Sequence, residues 1–154
     1  MAEAKNFRTV WHAITQEFVG YEGSAPSPNH EVRVFPNRES RLRGSRQLLV
    51  FAQQRFTIIQ SGIREFETRL TSYQYSVDDA LTGHEIMAFH WHRGALSWPH
   101  IHIGAGSGVL ITELQTAHVP SGTVQLAGFV RFLIADFGVE PLRDDWERIL
   151  VSGV

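Results

Sequence analysis

The chain contains no cysteine, which excludes both a disulfide framework and any thiolate metal site. It holds a single lysine against thirteen arginines, so its positive charge sits almost wholly on the side chain best shaped for bidentate phosphate or carboxylate contacts. No apolar run approaches the roughly 20 residues needed to cross a bilayer. The opening Met1-Ala2-Glu3-Ala4-Lys5-Asn6 lacks the basic start and apolar stretch of a secretion signal. A cytoplasmic protein without a membrane partner is the expectation. Internal repeats, low-complexity tracts and domain-splitting linkers are also missing, so residues 1–154 read as one domain.

What is present is globular in character, with 43% hydrophobic, 19% charged and 11% aromatic residues. The net charge of −2 hides an uneven distribution. Arg33, Arg38, Arg41, Arg43, Arg46 and Arg55 cluster against Glu39 alone, whereas acidic residues dominate the C-terminal stretch. Such a basic segment fits either a phosphate-bearing partner or a solvated face.

Periodicity divides the chain. Phe7, Val10, Trp11, Ile14 and Phe18 predict an amphipathic helix over 6–18, followed by a Gly/Ser/Pro loop to residue 29. Val32 and Val34 suggest a short strand. Leu42, Leu49, Ala52, Phe56 and Ile59 fit one helical face, although the run Phe56-Thr57-Ile58-Ile59 also favours strand. Residues 63–77, 85–92 and 100–103 read as three successive antiparallel strands, and 109–114 as a candidate fourth. Gly104-x-Gly106-x-Gly108 fits a turn better than a phosphate cradle. Leu126, Phe129, Val130, Leu133 and Phe137 predict a helix, and a shorter one follows Pro141. The expected fold class is α+β, a small antiparallel sheet of three to four strands with helices packed on one face.

One feature is chemically specific: the paired motifs His90-Trp91-His92 and His100-Ile101-His102. Residues i and i+2 of a strand share a face, so each pair presents two imidazoles together. In a hairpin about residues 93–99, His90 would oppose His102 and His92 would oppose His100, with Cβ atoms about 5 Å apart. A close group of imidazoles cannot all be charged at neutral pH. Neutral rings serve as bases or metal ligands, and protonated ones as acids or anion donors. Tyr73 and Tyr75 share a face of the preceding strand and could donate hydrogen bonds into the site, although such tyrosines usually just pack. His118 lies beyond the third strand, and nothing local requires it to return.

The residues Tyr73-x-Tyr75, Glu85-Ile86-Met87-Ala88-Phe89-His90 and Pro99-His100-x-His102-x-Gly104 are similar to those of TumE-like toxins of bacterial toxin–antitoxin pairs. The stretch His118-Val119-Pro120-Ser121-Gly122 resembles that of uncharacterised actinobacterial proteins with two His-x-His motifs. The toxin resemblance implies action on RNA, an antitoxin partner and roles for His90, His100 and His102.

Three functions follow as expectations. The first is a metal-independent endoribonuclease, a toxin or phage-defence effector, that needs no cofactor. His90 and His102 would be its acid–base pair, His100 and His92 their partners, and Arg93, Arg41, Arg43, Arg46 and Tyr75 the substrate-binding groups. The second is a protein that binds a divalent transition metal through His90, His92, His100 and His102 in a cupin-like manner. The third is a non-enzymatic interaction module.

Overall fold

The computed structural model describes residues 2–23, 30–44, 47–63, 65–92, 96–109 and 112–152. Helix α1 spans Ala2–Trp11. Strands β1 (Val19–Gly23), β2 (His30–Pro36), β3 (Ser40–Leu42), β4 (Leu48–Gly62), β5 (Glu65–Asp79), β6 (Glu85–Trp91) and β7 (His100–Ile103) follow. A short 3₁₀ turn at Ala105–Ser107 leads to α2 (Thr112–Thr116) and β8 (Val119–Pro120). Helices α3 (Leu126–Ala135) and α4 (Trp146–Ser152) close the fold.

The described residues form one eight-stranded antiparallel sheet in the order β1-β2-β4-β5-β6-β7-β8, with β3 also paired to β4. This corrects the expectation of a small sheet of three to four strands. The decisive segment is β4. Its apolar residues satisfy a helical spacing, but burial along Leu48–Arg55 alternates residue by residue. Fourteen register pairs with β5, from Leu48↔Asp79 to Gly62↔Glu65, hold it extended. Gln54 concealed that alternation, because a polar residue stands on the buried face. Its side chain donates to Tyr75 Oη at 2.8 Å, which satisfies both groups away from water.

Smaller differences have local causes. The first helix ends at Trp11 and turns through His12–Ile14, leaving Phe18 exposed and Val19–Gly23 free to pair with β2. Of the candidate strand 109–114, residues 110 and 111 lie outside the described residues, and its end falls in the helix Thr112–Thr116. Two of the glycines after β7 are required by close packing. A Cβ at Gly104 would collide with the Glu85 carbonyl oxygen, and one at Gly106 with that of His84.

The sheet has two unlike faces. On one, Tyr73, Tyr75, Val77, Val50, Ala52, Val32, Val34 and Phe89 join the core with Phe7, Val10 and Trp11 of α1, Phe129, Val130 and Leu133 of α3, and Ile149 and Leu150 of α4. Tyr75 stacks on Phe129 at 5.0 Å, and Phe89 meets Phe129 edge-on at 5.8 Å. Tyr73 Oη accepts from the Val124 amide at 3.0 Å, fixing the approach to α3. Strand alternation turns the intervening residues, among them Gln53, Gln74, His90 and His102, to the other face. Among the described residues no helix is long and apolar enough to cross a membrane.

Candidate metal centre

The histidines come together because three consecutive strands bring them there. Strands β6 and β7 are antiparallel neighbours in the register His90↔His100 and Ala88↔His102. This register is shifted by two residues from the hairpin expected from sequence, in which His90 opposed His102. The rings of His90 and His102 nonetheless lie 4.9 Å apart across the diagonal, and those of His90 and His100 lie 5.7 Å apart. His92, just past the end of β6, places its ring 6.0 Å from His90 and 5.6 Å from His100.

A fifth imidazole completes the group. Strand β8 pairs with β7 through Ile101↔Val119 and His100↔Pro120, which seats His118 beside His102. Its ring lies 4.5 Å from that of His102 and 5.1 Å from that of His100. The sequence offered only a weak signal for this: a β-branched residue before a proline favours extended backbone.

Hydrogen bonding assigns the tautomer of one ring. His100 is fully buried, and its Nδ1 lies 3.0 Å from the Trp98 carbonyl oxygen. A carbonyl only accepts, so Nδ1 carries the hydrogen and, in the neutral ring, Nε2 holds the lone pair. Among the described residues that Nε2 is buried without a partner, and so is Nε2 of His90. A buried polar atom without a hydrogen bond is costly and calls for an explanation. His90, His100 and His102 can each offer a nitrogen so that all three ligand atoms lie within 4.8 Å of one another.

Electrostatics act in the same direction. Burial, followed by the neighbouring His102, His100, His92 and His118, pushes the His90 imidazole down to about 4. Burial and then His118, His100 and His92 also lower His102. No ion pair between these histidines and a carboxylate occurs among the described residues. His90 and His102 are thus biased toward the neutral form that offers a lone pair, in a cluster without an internal counter-ion among the described residues.

The remaining sequence candidates lie elsewhere. Tyr75 is fully buried on the helix-covered face, where its hydroxyl accepts from Gln54; it does not reach the histidines. Arg41 sits on β3 opposite Leu49, and its Nη1 donates to Gln47 at 3.2 Å. From Leu49 to Gln53, the row that leads to His90, is four residues of strand, and β3 to β6 is three strand spacings. These offsets place Arg41 on the order of 20 Å from the cluster, and Arg43 two residues further along the chain. Arg46 and Arg93 lie outside the described residues.

Residues the sequence reading left out stand nearer. Gln53, Gln74, Arg55, His90 and His92 line a common groove. Gln53 and Arg55 are obscured in the sequence because their segment fits a helical face, and Gln74 because the strand 63–77 then has no partner on its β4 side. Comparison with protein families, characterised proteins and solved structures identifies no match for this chain.

Proposed function

We propose that this chain is a transition-metal protein, with His90, His100 and His102 as the ligands of a single ion. One observation carries this reading: among the described residues the buried Nε2 atoms of His90 and His100 lack any partner, in a trio with His102 whose ligand atoms lie within 4.8 Å of one another. Two imidazole lone pairs turned toward each other repel unless a proton or a metal cation stands between them. A three-nitrogen set suits zinc, iron(II), nickel or copper and discriminates against calcium and magnesium, which demand oxygen. The Trp98 carbonyl on His100 Nδ1 is the kind of outer partner that fixes a ligating ring and raises its basicity.

Three protein ligands leave coordination positions open, the layout of catalytic rather than closed structural centres. His92 and His118 are exposed at the margin of the cluster, within reach of a further position or of a bound molecule. The centre is thus read as one that acts on a ligand and does not merely brace the fold.

Metal-free RNA cleavage by the same rings, with His90 and His102 as acid and base, is the competing reading. It requires one imidazolium beside one imidazole, and acid–base histidines are commonly oriented and charged by a carboxylate. Such a carboxylate is missing from the cluster among the described residues, which favours the metal.

Elemental analysis of purified protein, followed by zinc titration of the chelator-treated form, tests this directly. About one equivalent per chain is expected, falling below a tenth in His90→Gln and His102→Gln while circular dichroism is unchanged. A wild-type protein that takes up no transition metal, yet cleaves RNA in chelator, would return the assignment to acid–base catalysis.

A further inference from the structure

The helix-free face carries a directed polar row beside the histidines. Register aligns Gln53, Gln74, His90 and His100 across β4, β5, β6 and β7. Arg33, on β2, can only donate, so Gln53 presents Oε1 to its Nε at 2.8 Å. Gln53 Nε2 must then face β5, where it donates to Gln74 Oε1 at 3.3 Å. Gln74 is left with two Nε2 hydrogens that no group accepts among the described residues. His90 is the next member of the row.

Arg55 stands in the adjoining row, paired with Arg33 on β2 and Ser72 on β5. Its register is interrupted at once by a bulge, since Phe56 pairs with Leu70 and Thr71 is left over. The Thr71 hydroxyl donates to the Arg55 carbonyl at 3.2 Å, holding the kink. Bulges of this kind re-aim side chains and recur beside functional sites. Arg55 is exposed and makes no ion pair among the described residues, whereas Arg33 is engaged by Gln53 and Glu22. The groove between Arg55 and His90 has a volume of about 360 Å³, at the lower end of the range for small-molecule sites.

We propose that this groove binds a small organic anion, its carboxylate or phosphate oxygens paired with Arg55 and accepting from Gln74 Nε2, while its far end reaches the metal. The proposal rests on the metal reading above and names the class of ligand for that centre. From β4 to β6 is two strand spacings, about 10 Å, part of which the arginine itself spans, so the ligand is only a few atoms long. Glu31 lines the same groove. A polyanion laid along the face would meet its carboxylate as well as Arg55, so a compact molecule with one anionic head fits and a nucleic acid does not.

Calorimetric titration of zinc-loaded and metal-free protein tests this. The probes are glycerate for the carboxylate arm, glycerol phosphate for the phosphate arm and glycerol as the neutral control. Saturable binding of glycerate or glycerol phosphate is expected, and whichever binds identifies the head group. Arg55→Ala should weaken it by about tenfold or more, the usual effect of deleting a charged hydrogen bond, and Gln74→Leu by several-fold. Zinc content should be unchanged in both variants. The bound anion should hold zinc-loaded protein more tightly than metal-free protein, and equal affinity overturns the bridge to the ion. Unchanged affinity in Arg55→Ala, or glycerol binding as well as the anions, overturns the groove assignment. If zinc is not taken up at all, the metal reading fails by itself. The groove then stands or falls on Arg55-dependent anion binding to the metal-free protein.

Discussion

His90 stands directly opposite His100 in the register of β6 and β7, and each buries an Nε2 atom without a hydrogen-bond partner among the described residues. Strand pairing thus holds the two candidate ligand atoms in place before any ion arrives. A site organised in this way loses little conformational entropy on binding, so most of the coordination energy is available as affinity.

Metal should consequently stabilise the fold. An ion that binds only the native state contributes about 2.7 kcal/mol at a hundredfold excess over its Kd. For a chain of this size that corresponds to a rise in Tm of roughly 5–10 °C. Differential scanning calorimetry with zinc is expected to show this rise in the wild type. It should vanish in His102→Gln. A rise of the same size in that variant would place the ion elsewhere.

Acid should weaken the metal-free protein. The folded His90 is held down at about 4 by burial and by the surrounding rings, below its ordinary value of 6.5. Between these values the unfolded chain takes up a proton that the folded chain refuses, so stability is lost as pH falls from about 6.5 toward 4. His102 shifts in the same direction for the same kind of reason. Urea unfolding of chelator-treated protein should lose stability more steeply across this window than His90→Gln does. Identical slopes would show that His90 titrates normally.

Tyr75 should matter to the fold and not to the centre. Tyr75→Phe leaves the buried Gln54 amide without its partner, an effect of about 1–3 kcal/mol. The expected result is a lower Tm with zinc content unchanged. Loss of metal in this variant would mean that the two faces of the sheet are coupled.

The arginines of the basic cluster should separate by position. Arg41→Ala and Arg43→Ala, both exposed and distant from the histidines, should change stability by no more than about 0.5 kcal/mol and leave anion binding intact. Arg55→Ala is the variant expected to weaken it. If Arg41→Ala weakens anion binding as strongly as Arg55→Ala, the ligand lies across the β3 end of the sheet instead.

The grouping of His90, His92, His100 and His102 on one face was legible from sequence because strand alternation is a local rule. Two residues apart on an extended chain is enough to align two imidazoles, whatever the rest of the fold does. The helices near residues 126 and 146 were legible for the same reason, their apolar stripes being written in the spacing. Sheet size was not. Leu49, Ala52, Phe56 and Ile59 fit a helical period, and only pairing with β5 draws their segment out as a strand with Leu49 and Ala52 on opposite faces. The register that sets His90 against His100, the return of His118 through β8, and the row from Arg33 through Gln53 to Gln74 join residues distant in the chain. No local propensity encodes those contacts. They exist because an eight-stranded sheet buries one face under its helices and leaves the other to collect every polar side chain of matching parity.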